Sequence, residues 1–357
     1  MRPLTAVPAV TVKRYSTGMV SPGIGGVCQS GSIQSLHDHA QVRIIMHFMA
    51  ASGKSRQIGI VGASGYLGAE LLRLSALHPQ FEVVLATGDT QAGKLAASRY
   101  PNLAAAYPSL MFSEFDPSAC EGLDLVFLAM PHGAAQGIVP ELRKRVGAIV
   151  DLSADFRLKD SRLYPEWYHE PHQSPELLEE FAYGIPELFR DEIAGSTAVA
   201  VAGCYPTASA LALAPLVQAG LIEPSGIIVD AASGVSGAGV ALKESSLFCT
   251  VDESFSAYGL LDHRHTPEIE QAIGASVLFT PHLAPMSRGI LATCYARPVA
   301  SQQLTSESLL GTLSHVYADE PFVVVRPDSP STKATLGSNC AHLTARYDSR
   351  TGWVVVL

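Results

Sequence analysis

Residues 57–79 read QIGIVGASGYLGAELLRLSALHP. Gln57 to Val61 has the length of a buried strand. The glycines at 62, 65 and 68 then open a helix whose apolar Leu67, Leu71, Leu72 and Leu74 carry it on to His78 and Pro79. Strand, Gly-rich turn and helix, in that order, are what a dinucleotide pyrophosphate needs. Glycines let the backbone approach the phosphates, and the helix N-terminus points N–H groups at them. The spacing is GxxGxxG rather than GxGxxG, so context carries the reading, and a tight turn without ligand is its alternative. The next strand, FEVVLAT (81–87), arrives about 20 residues on, where such folds meet the adenosine ribose. Gly88-Asp89-Thr90 follows it, and Lys94 is the nearest cation. An acid there suits the 2′-hydroxyl of NAD and a base the 2′-phosphate of NADP, so these residues leave the cofactor form open.

Working outward, DLVFLAM (124–130) is a further buried strand that ends in Pro131-His132-Gly133. AIVDL (148–152) repeats the pattern, with Ser153, Asp155, Phe156 and Arg157 beyond its end. Polar residues at such strand ends lie where open α/β sheets bind ligands. Strands alternating with helices over 57–203 specify an α/β, Rossmann-type, doubly wound parallel sheet, the dinucleotide-binding domain. After 204 the texture changes. Strands are expected at 226–231, 276–280, 290–299, 322–326 and 341–347, with helices around Lys243-Glu244, from Thr266 and over 305–317. They predict a second, α+β catalytic domain over 204–357, with a mixed, largely antiparallel sheet covered on one face.

Composition narrows the function classes. The 357 residues, 47% of them hydrophobic, suffice for two cores. A net charge of −9 argues against nucleic acid as a partner while leaving room for a small anionic substrate. The six cysteines (28, 120, 204, 249, 294, 340) show no CxxC pair or metal-ligand spacing, which fits a reducing compartment without a disulfide framework or metal site. No apolar run reaches membrane-spanning length uninterrupted. Residues 1–56 carry Arg2, Lys13, Arg14 and Arg43 against the single acid Asp38 before position 50. They read as an extension outside the fold, either a transit peptide or sequence upstream of a true start at Met46 or Met49. The corresponding locations are the plastid and the cytoplasm.

The chemistry centres on VAVAGCYPTASALALAP (199–215). A β-like run breaks at Gly203, presents Cys204, and restarts as a small-residue helix after Pro206 and Thr207. A thiol at a strand-to-helix turn, beside unpaired N–H groups, is expected to have a lowered pKa and to attack carbonyl carbon. A buried structural cysteine is the alternative. SGVSGAG (233–239) offers backbone N–H groups to an anion or oxyanion, or is a flexible connection. His263 and His265, two apart, fall on one face of an extended segment, with Arg264 between them and Thr266 as the expected helix cap. No third ligand stands at metal spacing, so acid–base work and anion binding are favoured. Arg288, beside Gly289, fits a carboxylate or phosphate clamp.

In order, GASGYLGAELLRL, FLAMPHGAA, DLSADFRL, YGIPELFR, AGCYPTASALAL, SGVSGAG, HRHTPEIEQ and HLAPMSRGILAT closely resemble the N-acetyl-γ-glutamyl-phosphate reductase family of arginine biosynthesis, from about Ile58 to about Arg346. The resemblance implies that the Cys204 thiolate attacks an acyl phosphate and expels phosphate. Hydride from NADPH then reduces the thioester to the semialdehyde. It assigns general acid–base work to His263 and substrate binding to His265 and Arg264, with Arg288 and Ser236 as anion contacts. Gly62, Ser64, Gly65, Tyr66, Gly68, Pro131, His132, Ser233 and Gly234 are the implied cofactor contacts. It further implies a homo-oligomer, a tetramer.

Two departures stand out. Gly88-Asp89-Thr90 replaces the Ser/Arg-like residues the family places after its second strand, which weakens the NADP assignment. The family also continues past its final strand with a DNLxKGAxGQA-type loop and a helix, whereas this sequence stops at TGWVVVL. Truncation, an exposed edge over 354–357 and weak cofactor binding are the resulting expectations. The competing readings are a reductase of another acyl phosphate (N-acetyl-aminoadipyl or aspartyl), an inactive nucleotide-binding protein, and a Cys–His hydrolase. Tyr205-Pro206 favours the glutamyl compound over aspartyl phosphate. A pure binder needs neither Cys204 nor His263, and a hydrolase needs no nucleotide turn.

Overall fold

The computed structural model describes residues 55–300 and 303–357. The readings made for residues 1–54 lie outside the described residues. Strand β1 (Arg56–Val61) is buried from Ile58 onward, as an apolar run sandwiched between two layers must be. It lies in an all-parallel sheet with β2 (Phe81–Ala86), β3 (Leu125–Leu128), β4 (Ile149–Asp151), β5 (Ala182–Gly184) and β6 (Ala198–Val201). The order is β2-β1-β3-β4-β6-β5, every pair parallel. The order reverses between β1 and β3, which opens a crevice at their carboxyl ends. Helix α1 (Tyr66–Ala76) leaves that crevice and buries Gly68, Leu71, Leu72 and Leu74.

The second sheet is mixed, with β7 (Ile227–Ser233), β8 (Ser256–Ala257), β9 (Val277–Leu283), β10 (Ile290–Ala296), β13 (Ala345–Asp348) and β14 (Trp353–Val356) in the order β13-β14-β10-β7-β9-β8. Only the β7–β9 pair is parallel. Along β7, Ile227, Val229 and Ala231 are buried and their neighbours are not, the alternation of a sheet covered on one face. The cover is helix α3 (Cys204–Gln218), packed on β10 and against α4 (Thr266–Ile273) and α5 (Ser306–Val316). Ala210, Leu211, Ala212, Leu213, Ala214 and Leu216 are all buried, so α3 is apolar on every side and lies inside the core.

Several elements differ from the sequence expectation. The segment 341–347 is split at Thr344: β12 (Ala341–Leu343) pairs with β11 (Val323–Val325), and β13 joins the large sheet. Lys243-Glu244 begins only a single 3-10 turn, Glu244–Ser246. The final strand is not an exposed edge, because β14 hydrogen-bonds to β10 and β13 on its two sides and buries Val354 and Val356 completely. Among the described residues no helix is long and apolar enough to cross a membrane.

The glycines of the first turn fall into two kinds. A Cβ at Gly68 would sit 2.4 Å from Ala63 Cα and 2.5 Å from Gly62 O, both backbone atoms, whereas one at Gly65 meets nothing nearer than Gly62 O at 3.6 Å. Gly68→Ala is therefore expected to cost about 1–3 kcal/mol by overpacking, and Gly65→Ala no more than about 0.5 kcal/mol. Urea unfolding of the two variants checks this, and equal losses would contradict it.

Candidate active site

The nucleotide crevice fits a dinucleotide on its own geometry. Gly62 has φ +82, and a Cβ there would lie 2.3 Å from the Ala129 carbonyl oxygen of the neighbouring strand end. No side chain caps the start of α1, where Tyr66 and Leu67 are exposed, so its first N–H groups face the open crevice. Ser64, Gly65 and Tyr66 form that rim. Across the switch point, Gly133 donates its N–H to Asp155 Oδ1 (2.7 Å), and His132 Nδ1 lies 2.7 Å from the same oxygen. Asp155 also accepts from the N–H groups of Ala135 and Gln136, capping α2 (Ala135–Leu142). Burial raises the pKa of its carboxyl, but His132 and these amides more than offset that and hold it below the ordinary value.

Cys204 is the first residue of α3 and is exposed, with Gly203 as the cap. The helix thus begins at the cysteine itself, and Pro206 sits in the first turn, where its missing N–H costs nothing. Gly203 is clamped. A Cβ there would lie 2.7 Å from His265 Nε2 and 2.9 Å from Arg157 Nη1. Its N–H donates to Glu268 Oε1 (2.7 Å), which also accepts from Tyr183 Oη (2.8 Å). Glu268 Oε2 is 3.5 Å from Arg157 Nη1, and Arg157 donates to Val201 O (2.8 Å) and Leu152 O (3.1 Å). Glu268 is completely buried and Arg157 nearly so.

The Cys204 thiol is not pushed down by the helix. Packing around the sulfur raises its pKa, against the opposing pull of the Tyr205 N–H and the Arg157 charge. The resting group is a thiol. The two histidines meet through a turn rather than an extended segment: Thr266 donates its N–H to His263 O (2.9 Å), and His265, not Thr266, is the cap residue of α4. Their rings are 4.8 Å apart and both meet the Tyr205 ring edge-on, at 5.8 and 5.9 Å. Burial, assisted by Arg264, lowers the His263 pKa to about 4, and burial with the charges of His263 and Arg157 holds His265 still more firmly neutral. His265 Nδ1 has no hydrogen-bond partner among the described residues.

Beside the pair opens a cleft of about 330 Å³ lined by His132, Trp167, Tyr168, His263 and Arg264, among others. Of the residues the sequence reading singled out, His132, His263 and Arg264 line this cleft, His265 meets His263 edge-on, and Cys204 follows Gly203, against which His265 packs. Arg288 is placed otherwise: it pairs with Glu70 of α1 at 2.9 Å. In the loop containing Ser233, Gly234 and Ser236, the N–H groups of Gly234, Val235 and Ser236 already donate to Gly289, Met286 and Ser287 carbonyls. They are not a free anion nest, and Ser233 Oγ donates to Gly234 O. Pro131 is exposed at the rim of the switch point. Sequence reasoning missed the roles of Arg157 and Glu268, since a charged residue near a helix start reads as solvated. It also missed Trp167 and Tyr168, which no spacing marks. Among the described residues no cluster of three or more ligating side chains could hold a metal ion, and the described cysteines are unpaired.

A glycine turn at the switch point of a parallel sheet, and a cysteine at a helix start whose neighbours Gly203 and Tyr205 pack against the two histidines, are features of a semialdehyde dehydrogenase-type oxidoreductase. Family models agree: one described as the semialdehyde dehydrogenase NAD binding domain matches residues 57–196, and one described as the dimerisation domain matches 204–357. Two solved structures are similar in fold, each with a TM-score of 0.63: Vibrio cholerae aspartate semialdehyde dehydrogenase II complexed with ASA, and Candida albicans aspartate semialdehyde dehydrogenase with NADP. Identity is 13% and 14%, covering 85% and 84% of this chain and 92% of each of those. Nearer in sequence are the N-acetyl-γ-glutamyl-phosphate reductases of Magnetococcus marinus (43% identical, 85% of this chain, 89% of that one) and Symbiobacterium thermophilum (46%, 84% and 88%). The chain belongs to the N-acetyl-γ-glutamyl-phosphate reductase family.

Removing one member of a buried ion pair strands the other, at about 3–5 kcal/mol. Glu268→Ala is expected to lose that much in urea unfolding, with the Arg157→Leu/Glu268→Leu double variant losing less than the sum of its single variants. Strict additivity would show that the two residues are not coupled.

Proposed function

We propose that this chain reduces N-acetyl-L-glutamyl 5-phosphate to N-acetyl-L-glutamate 5-semialdehyde and phosphate, in arginine biosynthesis, with Cys204 as nucleophile. The observation that carries this reading is the clamped Gly203-Cys204 turn, with its exposed thiol and the neutral His263–His265 pair on Tyr205. His263 accepts the thiol proton as the sulfur attacks the acyl carbon. Phosphate leaves, and the substrate remains as a thioester on Cys204. NADPH, held in the crevice by the glycine turn, would supply the hydride for reduction of this thioester. His263 returns the proton as the semialdehyde departs. His265 and Arg264 hold the substrate's anionic groups at the cleft. Gly62, Ser64, Gly65 and Tyr66 receive the pyrophosphate, Gly68 lets α1 pack closely on that turn, and His132, held by Asp155, lines the cleft.

The assembly we propose is a homo-oligomer, a tetramer as the family resemblance implies. Between β7 and α4, Leu242, Phe248 and Leu261 are 94%, 78% and 76% exposed, an apolar surface that a second copy would cover. The proposed location is the cytoplasm, or the plastid if residues 1–56 are a transit peptide.

Cys204→Ser is expected to abolish reduction of the acyl phosphate while NADPH binding, followed by fluorescence, is retained; normal turnover would refute the thiolate mechanism. The acid limb of kcat/KM is expected near pH 4, where His263 takes up its proton, rather than near the ordinary imidazole value of about 6.5. A pH–rate profile checks this, and a limb at the ordinary value would contradict the depressed pKa of His263.

A further inference from the structure

The turn that follows β2 carries the wrong charge for a 2′-phosphate: Asp89, three residues beyond the strand, is exposed and acidic. Its neighbour Gly88 packs against the nucleotide turn, so closely that a Cβ there would lie 2.8 Å from Ser64 Cβ and 2.9 Å from Ser64 Oγ. The end of β2 and the glycine turn therefore touch, at the place where a doubly wound fold holds the adenosine ribose. A cation reaches this junction from elsewhere in the chain. Arg99, at the end of the one-turn helix Ala96–Arg99, donates from Nε to Ser64 O at 2.8 Å, and its guanidinium stands 5.6 Å from the Tyr100 ring centroid. Tyr100 Oη donates to the same Ser64 carbonyl (2.6 Å) and lies 3.1 Å from Gly65 O. Aromatic ring and carbonyl together fix the Arg99 fork beside the turn. Among the described residues no carboxylate pairs with it, so its terminal nitrogens keep their charge for a ligand. Arg73 and Arg288 both pair with Glu70, whereas Lys94, whose Nζ lies 3.3 Å from the neutral Gln91 Oε1, keeps its charge and serves as the comparison.

We propose that Arg99 selects NADP over NAD, its terminal guanidinium nitrogens binding the 2′-phosphate of the adenosine ribose at the Ser64–Gly88 junction. Guanidinium matches phosphate with two parallel charge-assisted hydrogen bonds, and the 2′-hydroxyl of NAD offers no charge for it to meet. The inference rests on the proposed NADPH-dependent function and names the residue that decides the cofactor.

Calorimetric titration of the full chain with 2′,5′-ADP and with 5′-AMP tests it without any turnover. The unmodified protein is expected to bind 2′,5′-ADP more tightly. Arg99→Gln should weaken 2′,5′-ADP about 30-fold and change 5′-AMP by no more than about threefold. Lys94→Gln should leave the ratio of the two affinities unchanged, and Arg99→Lys should recover part of it. Equal loss of both probes in Arg99→Gln would reduce Arg99 to a brace of the turn and overturn the proposal. An unaltered ratio in that variant, or loss of the ratio in Lys94→Gln, would overturn it as well. Equal affinity for the two probes in the unmodified protein would refute the selection while leaving a dinucleotide site intact. Binding of neither probe nor NADPH would bring down the site itself.

Discussion

The contact on which the rest depends is the buried pair of Arg157 and Glu268. Two charges withdrawn from water are tolerable only where hydrogen bonds satisfy them, and here every partner is backbone or a buried hydroxyl. Those partners are well chosen for function. Arg157 grips the ends of β4 and β6 through Leu152 and Val201, and Glu268 grips Gly203 from the start of α4. The two sheets are thus joined at the residue before the thiol. The missing Cβ at Gly203, whose backbone is ordinarily extended, lets His265 and Arg157 pack against a bare Cα.

The block DLSADFR extends this wiring. Asp151 accepts from Ser153, Asp155 caps α2 and fixes His132, and Arg157 reaches the cysteine turn. Seven consecutive residues therefore tie the switch point of the parallel sheet to the start of α3. Desolvation lifts the Asp151 carboxyl to about 7, whereas amide donors hold Asp155 down. One segment keeps a carboxyl near neutrality and a carboxylate side by side, because only the second faces a helix N-terminus.

The parallel sheet was legible because its signals are local: apolar runs of strand length, and a glycine turn between strand and helix. Cys204 was legible for the same reason, since Gly203 and the alanine-rich α3 announce a turn into a core helix. What the sequence could not show was pairing at long range. Glu268 and Arg157 are 111 positions apart, so nothing in either's surroundings marks a clamp. Arg288 looked free until Glu70, 218 positions away, was set beside it. The loop 233–239 looked like an anion nest because glycine content reveals conformational freedom and not which carbonyl takes each N–H. The histidine pair was read correctly as adjacent but for a different geometry, a turn in place of an extended strand. The edge expected at 354–357 vanished once β13 supplied a second neighbour, a pairing that depends on the break at Thr344.

The electrostatics of the thiol alter how a helix-start cysteine is to be understood. The α3 terminus and the Arg157 charge favour the thiolate, yet burial outweighs both, and the same burial keeps His263 and His265 neutral. Beside the charged Arg157–Glu268 pair, packing disfavours charge on Cys204, His263 and His265 and favours the thiol and the neutral imidazoles. Transfer of one proton between them creates two opposite charges at once, whose attraction in a low-dielectric pocket offsets much of the desolvation that each would suffer alone. In the proposed mechanism the thiolate would arise together with an imidazolium, as substrate arrives, rather than standing ready. Oxidation and alkylation both proceed through thiolate, so packing around the Cys204 sulfur lowers its reactivity toward them although the residue as a whole is exposed.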